Sequence, residues 1–148
     1  RDGIHIVSSR IGLSNTCRLI DEFLDEFIKN PSCVLNYNAI IVDEAQFASP
    51  EQIDLFSDIV DTWQIPVLCY GLRADFQNKF FPGSRRLMEI ADEIKEIKTI
   101  CWCGKKATCN ARYDDNGIIK EGAQVVLGAN DKYIALCRKH FKEGNLGK

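Results

Sequence analysis

The sequence predicts an α/β fold in which an open, mostly parallel sheet is followed by a small β-rich domain. Amphipathic helix patterns alternate with short apolar strand patterns as far as residue 100. Such alternation is typical of a parallel sheet with helices on its faces. Beyond residue 100 the composition shifts to cysteine, glycine and hairpin-turn residues. We therefore predict a larger domain over residues 1–100 and a smaller one over residues 101–148.

Each element of the first domain has its own sequence signal. Apolar residues at helical spacing predict a helix over residues 14–29. A run of branched apolar residues predicts a strand over 39–43, of the kind that is buried on both faces. Ser49 and Pro50 predict the start of a second helix, because serine accepts a hydrogen bond from the first turn and proline fits its first position.

Four later segments complete the predicted order. Strand patterns cover residues 65–70 and roughly 94–101, and a helix pattern lies between them around 84–91. The turn sequence DDNG at 114–117 predicts a hairpin in the second domain.

Charge and hydropathy exclude some classes of partner. The net charge is -2, and no long block of lysine and arginine is present, so a nucleic-acid groove or a membrane-surface stripe is not expected. No apolar run approaches the ~20 residues that a membrane helix needs. We predict a cytoplasmic protein without nucleic-acid or membrane partners.

The cysteine pattern predicts a metal site. Cys101 and Cys103 form one close pair, and Cys137 and His140 form another. Two such pairs supply the four sulfur and nitrogen ligands of a tetrahedral zinc, and a fully protein-ligated zinc is structural rather than catalytic. Cys109 stays open as an alternative ligand.

The other three cysteines have no such pattern. Cys17, Cys33 and Cys69 are scattered in apolar or amphipathic settings, and we expect them to be buried, reduced thiols.

The segment NAIIVDEAQF at 38–47 ends an apolar strand on two acids, Asp43 and Glu44. In phosphoryl-transfer sheets an acid at this place serves Mg²⁺, and a neighbouring residue orients or deprotonates the nucleophile. A helix-capping Asp43 beside a solvated Glu44 is the simpler alternative. Ligands of open parallel sheets bind at the carboxyl ends of the strands, where Leu72 also falls.

The phosphate-binding partner motif G-x-x-x-x-G-K-[ST] does not occur in these residues. The sequence starts RDGIHIVSS, without an initiator methionine. We expect that a strand and phosphate loop precede it, which would make the sheet one of the P-loop/RecA-like type.

Five segments of the chain carry a family resemblance: VSSRIGL at 7–13, IIVDEAQF at 40–47, PVLCYGLRADFQNKFFPGS at 66–84, KTICWCGKKA at 98–107 and GANDKYIALCRKH at 128–140. Together, in this order and spacing, they resemble the thymidine kinase family of the type that carries a zinc-bearing lasso, in its bacterial, enterobacterial-like branch. The resemblance implies transfer of the ATP γ-phosphate to the 5′-hydroxyl of thymidine by a homotetramer. It also implies that Glu44 is the general base, that Asp43 serves Mg²⁺, and that Ala45 and Gln46 lie against the ATP phosphates.

The resemblance implies a thymine pocket as well. Its side chains would enclose the ring, the main chain of a lasso segment would bind the polar edge, and a tyrosine would close the pocket. The residues concerned are Phe47, Leu72, Phe76, Phe81, Gln124, Val125, Val126, Leu127, Gly128 and Tyr133. Alternatively, Phe76 and Phe81 are loop residues that anchor into the core.

Two other functions stay open. The chain could be a zinc-stabilised nucleoside-binding fragment without catalysis, because it lacks the phosphate loop. A helicase-type ATPase also uses D-E-A-Q, but it needs further motifs and a second domain.

Overall fold

The computed structural model describes residues 5–8, 11–125 and 132–147. The chain divides into two compact units, of which the first ends at Tyr70 and the second begins at Gly71. The boundary expected near residue 100 concerns a change of composition and stays a prediction.

Besides two short 3₁₀ helices, Pro31–Asn36 and Ala45–Phe47, the first unit combines an antiparallel pair of strands, a parallel pair and two α-helices among its described residues. In chain order these are β1 (His5–Ser8), β2 (Ser14–Cys17), α1 (Ile20–Lys29), β3 (Ile40–Val42), α2 (Pro50–Trp63) and β4 (Val67–Cys69). Strands β1 and β2 are antiparallel, with Val7 opposite Asn15. Strands β3 and β4 are parallel, with Ile41 opposite Leu68.

The helix predicted over 14–29 is wrong in its first part. Ser14–Cys17 form strand β2, and the helix begins at Ile20. The polar side chains of this stretch compete for main-chain hydrogen bonds, as where the Thr16 N–H donates to Asn15 Oδ1 at 2.8 Å. The apolar face of α1 therefore starts later, with the buried Phe23.

Helix α2 begins where its sequence predicted. The Gln52 N–H donates to the Ser49 hydroxyl at 3.2 Å, and the Ser49 N–H donates to the Gln52 side chain at 2.9 Å. This capping box satisfies two N–H groups that the first turn would otherwise leave unpaired. The helix then buries its inner face, formed by Ile53, Phe56 and Ile59.

Aromatic rings hold the helices of the first unit together. The Phe23 ring stacks at 6.3 Å on that of Phe56 and meets the Tyr37 ring edge-on at 6.1 Å. Offset and edge-on pairs at such separations add about 0.5–1.5 kcal/mol beyond area burial.

The parallel pair confirms the predicted order of strand, helix and strand. The strands expected over 39–43 and 65–70 are the shorter β3 and β4. Among the described residues their sheet has these two strands, so the structure shows mixed α/β content with small sheets.

Among the described residues the second unit has more strands than the first, and all of their pairings are antiparallel. Its elements are α3 (Pro82–Ile90), β5 (Thr99–Ile100), β6 (Lys106–Ala107), β7 (Cys109–Asp114), β8 (Gly117–Ile118), β9 (Lys132–Leu136) and α4 (Arg138–Glu143). Strand β7 lies between β8 and β9. Asp114 faces Gly117 across the predicted hairpin, and Gly117 has a φ of 122°, which favours glycine.

Two boundaries in the second unit differ from their predictions. The strand expected over 94–101 is reduced to β5, which pairs with the two residues of β6. Ile94 and Ile97 before it are exposed, so the apolar pattern alone did not make a buried strand. Helix α3 begins at Pro82, earlier than the expected residue 84, because proline is suited to the first turn.

The core of the second unit lies beside its cysteines. Cys101, Ala107, Ala111, Leu136 and Cys137 form one buried cluster. No helix in the described parts of the chain is long and apolar enough to cross a bilayer.

Replacing Ser49 by alanine removes one side of the capping box. We expect the free energy of unfolding to fall by about 1 kcal/mol, which is a loss of roughly 2–4 °C in melting temperature at this size. Ser57→Ala is the matched control, because the Ser57 hydroxyl donates to the Asp54 carbonyl within the same helix. Equal melting temperatures for the two variants would contradict the role of the cap.

Candidate functional site

Four predicted metal ligands come together in the second unit. The ligand atoms of Cys101, Cys103, Cys137 and His140 all lie within 4.8 Å of one another. The Cys101 Sγ and His140 Nδ1 atoms are 3.5 Å apart. A tetrahedral zinc with bonds of about 2.0–2.3 Å holds its ligand atoms roughly 3.3–3.8 Å apart. The donor set, three sulfurs and one nitrogen, therefore fits zinc.

Two tight turns bring these ligands together. Between β5 and β6, the Gly104 N–H donates to the Cys101 carbonyl at 2.8 Å, and Gly104 has a φ of 82°. This left-handed conformation suits glycine, so the turn after Cys103 closes without strain. The second turn starts α4, where Cys137 is the capping residue and the Phe141 N–H donates to its carbonyl at 3.0 Å.

The surroundings of Cys101 favour its thiolate. Burial raises the pKa of this thiol, but hydrogen bonds from the main chain of Cys103 and Cys137 and from the His140 side chain outweigh burial and lower the pKa to about 6. Because the thiolate is the form that binds metal, this environment suits a zinc ligand.

The imidazole of His140 is held in place from its face. The Trp102 ring stacks on it, with ring centres 4.3 Å apart and planes 11° apart. The Trp102 Nε1–H donates to the Asn145 carbonyl at 3.2 Å. The stacked tryptophan restricts rotation of the histidine ligand.

The four remaining cysteines differ in how far they are buried. Cys109 is buried but lies outside the ligand group, so it is not the alternative ligand in this arrangement. Cys33 is buried as expected, whereas the expectation is wrong for Cys17, which lies exposed on β2, and Cys69 is only partly buried. Burial raises the pKa of Cys69 to about 11.

In the first unit, Asp43 and Glu44 follow β3 directly. The Tyr70 N–H donates to the Val42 carbonyl and the Ala45 N–H donates to the Tyr70 carbonyl, both at 2.8 Å. These bonds extend the parallel pairing past both strands. The acidic pair therefore lies at the carboxyl end of the sheet, as predicted.

The backbone at Glu44 has an uncommon conformation. Its φ is 52°, in the left-handed region that residues other than glycine seldom adopt. The Glu44 N–H donates to Asp43 Oδ1 at 2.9 Å. Both acids are exposed. Glu44, not Asp43, is the residue before the short 3₁₀ helix Ala45–Phe47, and no side chain caps that helix, so the Asp43 bond to its neighbour is not the helix cap of the alternative interpretation.

Gln46 holds the Glu44 side chain. The Gln46 amide is 1% exposed, and its Nε2–H donates to Glu44 Oε2. Ala45 beside it is completely buried, whereas Phe47 remains 56% exposed. Within the D-E-A-Q segment, Gln46 therefore contacts the Glu44 carboxylate, and Asp43 contacts the Glu44 main chain.

The predicted thymine-pocket residues of the second unit fall into two groups. Phe76 and Phe81 are buried, as the core-anchor alternative expects, while Leu72, Val125 and Tyr133 are exposed. Gln124 is partly buried. Val126, Leu127 and Gly128 lie outside the described residues. Substrate contact by these residues stays a prediction.

Two buried charged residues of the second unit were missed at the level of sequence. Asp75 is 3% exposed and Arg112 is 2% exposed. For Arg112 the available signal was a charged residue within the strand pattern CNARYD. Asp75 lies outside the strands, so that signal does not apply to it.

Comparison with known proteins gives a consistent family. The family model described as "Thymidine kinase" matches residues 1–141. A protein named thymidine kinase from Haemophilus influenzae is 46% identical over 151 residues, which cover 97% of this chain and 76% of the relative. The thymidine kinase of Agrobacterium fabrum is 47% identical over 148 residues, covering 97% and 76%. That of Vibrio parahaemolyticus is 47% identical over 151 residues, covering 100% and 78%.

Substitution of a ligand should remove the metal. We expect the purified protein to hold about one zinc per chain and Cys137→Ser to hold much less, because three protein ligands bind zinc more weakly than four. Cys109→Ser is the matched control, since Cys109 is also a buried cysteine of this unit but lies outside the ligand group. Elemental analysis after dialysis measures both. Full zinc content in Cys137→Ser would contradict the assignment.

Proposed function

Because this chain belongs to the thymidine kinase family, we propose that it transfers the γ-phosphate of ATP to the 5′-hydroxyl of thymidine, giving dTMP. The observation that carries the proposal is the identity of 46% over nearly the whole chain to a protein named thymidine kinase. The acidic pair at the carboxyl end of the parallel strands supports it. The family match covers the D-E-A-Q segment, so a helicase-type ATPase is not needed to explain it.

Glu44 is the general base in this proposal. As the 5′-oxygen of thymidine attacks the γ-phosphorus, the hydroxyl proton passes to the Glu44 carboxylate and ADP leaves with the electron pair of the broken bond. The buried Gln46 amide holds Oε2 of Glu44, so the carboxylate is oriented before substrate arrives. Orientation matters because a base must reach its proton within about 3 Å.

Asp43 is the proposed Mg²⁺ residue. One of its oxygens, Oδ1, accepts the Glu44 N–H, and a carboxylate has a second oxygen that suits a hard cation. Bound with ATP, Mg²⁺ would neutralise charge on the phosphates. The adjoining turn through Ala45 and Gln46 would lie against those phosphates.

Thymidine binding uses aromatic and main-chain groups in this proposal. The side chains of Phe47, Leu72, Phe76 and Phe81 would surround the thymine ring, and Tyr133 would close the pocket. The main chain from Gln124 to Gly128 would bind the polar edge of the base, although Val126 to Gly128 lie outside the described residues. Exposed aromatic and apolar side chains such as Phe47 and Leu72 suit a flat base.

A P-loop/RecA-like sheet completes the proposed architecture. Ile41 and Leu68 are opposite each other on β3 and β4, and both are exposed. Parallel sheets are normally covered on both faces, so this apolar face supports a larger sheet. We also propose that a zinc-binding domain begins near residue 101 and that its zinc is structural. The protein would be a cytoplasmic homotetramer.

Thymidine should stabilise the protein selectively. At a hundred times its dissociation constant, a ligand adds about 2.7 kcal/mol, which raises the melting temperature by roughly 5–10 °C at this size. Thermal unfolding with thymidine, and with uridine as the control, measures this. Equal shifts, or none, would count against a thymidine pocket.

Glu44→Gln should remove catalysis without removing binding. We expect kcat to fall by about 10²–10⁴-fold, since the amide cannot take the proton, while thymidine still raises the melting temperature. The complete gene product is assayed for dTMP formation. Glu93→Gln, the same change at an exposed acid, is the control. An unchanged kcat in Glu44→Gln would refute Glu44 as the base.

A further inference from the structure

In the second unit, residues 120–124 are tied to the turn formed by residues 74–80. The turn is closed by pairing of Ala74 with Phe80 and by the Asp75 N–H, which donates to the Lys79 carbonyl at 2.9 Å. The Gln77 Nε2–H donates to the Lys120 carbonyl at 2.8 Å. Two further contacts to this segment are made by the buried charged side chains of Asp75 and Arg112.

Asp75 is the acceptor at the centre of the turn. Its Oδ1 accepts the N–H groups of Gln77 at 2.8 Å and Lys79 at 2.9 Å. Its Oδ2 accepts the Gln124 Nε2–H at 2.8 Å, and the same nitrogen lies 3.3 Å from the Phe80 carbonyl. Hydrogen bonds to a carboxylate are stronger than neutral ones, and a buried carboxylate needs them. The side chain of Gln124 therefore has one favoured position.

Arg112 makes the other buried contact with residues 120–124. Its guanidinium carbon lies 3.6 Å from the centre of the Phe76 ring, and its Nη1–H donates to the Ala123 carbonyl at 3.1 Å. On β7 it is paired in register with Tyr133 of β9. One buried cation therefore connects the Phe76 ring, the main chain next to Gln124, and the strand that carries Tyr133.

We propose that Asp75 and Arg112 are positioning residues for thymidine binding, which set the Phe76 ring and the main chain at Ala123 and Gln124. This inference rests on the proposed function, because it concerns the same pocket. If main-chain groups bind the base, the Gln124 side chain is available to fix their position through Asp75. A misplacement of about 1 Å in a binding group is enough to weaken binding strongly.

Buried charged side chains are better suited to fixing one geometry between two segments than to merely holding the segments together. Burying Asp75 and Arg112 costs desolvation, and apolar side chains could hold the two segments together without that cost. Directed hydrogen bonds and a planar guanidinium instead specify one geometry. The geometry they specify is that of Gln124, Ala123 and Phe76, which lie in or beside the proposed pocket.

An exchange of donor and acceptor tests the Asp75–Gln124 pair. Gln124→Glu places two carboxylates together and should raise the Kd for thymidine about tenfold or more. In the double variant Asp75→Asn with Gln124→Glu, the asparagine can still accept the two N–H groups on Oδ1 while its Nδ2–H donates to the new carboxylate. This variant should bind thymidine within about threefold of wild type, since the hydrogen bond is restored with its direction reversed.

Calorimetric titration of the zinc-loaded protein with thymidine measures the Kd, and thermal unfolding without ligand monitors the fold. Gln64→Glu is the matched control, because the Gln64 amide donates to the Val60 and Asp61 carbonyls in the first unit. A wild-type Kd in Gln124→Glu overturns the proposal. Failure of the double variant to recover binding also overturns it, since the loss would then come from residue 124 itself. If the wild type does not bind thymidine, the proposed function fails instead.

Arg112→Lys tests the contacts of Arg112. It keeps the charge but loses the planar group that stacks on Phe76, so the Kd for thymidine should rise about fivefold or more while zinc content stays at the wild-type level. Arg138→Lys, an exposed arginine, is the control. A wild-type Kd in Arg112→Lys, or loss of its fold, removes Arg112 from the proposal.

Discussion

The first unit depends on the parallel pairing of β3 and β4, which continues beyond the strands. The Ala45 N–H donates to the Tyr70 carbonyl, so the chain after Val42 cannot turn away from the neighbouring strand. This constraint brings Glu44 into a left-handed conformation and buries Gln46 beneath it. The position of the exposed Glu44 is therefore restricted, because the sheet holds the main chain beside it and the core holds Gln46.

The second unit is organised by a different constraint. Most of its strands are short, and its buried cluster of five residues includes Cys101 and Cys137 from the group that could hold a metal. A metal bound at this group would stabilise the unit, because the ligands come from separate turns that meet only in the folded state. Ala111 of β7 belongs to the same buried cluster, and β7 pairs with β9, which ends next to Cys137. The buried Arg112 extends this order from the sheet to the turn at 74–80.

The sequence predictions were correct where a feature depends on residues that are close together in the chain. The Ser49 cap, the DDNG hairpin and the two ligand pairs follow from side chains that act on their own turns. Prediction was wrong at Ser14–Cys17, where pairing with β1 outweighed an apparent continuation of the helical pattern. The strand expected before Thr99 was also wrong, since an apolar pattern forms a strand only where another segment pairs with it.

The sequence by itself determined the alternating α/β order, the group of three cysteines and one histidine that could hold a metal, and the family through its motifs and their spacing. Only the tertiary structure decided which side chains orient others. Gln124 and Asp75 are 49 residues apart in the chain, and no spacing rule joins them. The contact between Arg112 and Phe76 is also invisible in the sequence, because it forms only when a strand packs against a turn that is distant in the chain. Contacts of this kind depend on the whole packed unit, whereas caps, turns and close ligand pairs depend on a few neighbouring residues.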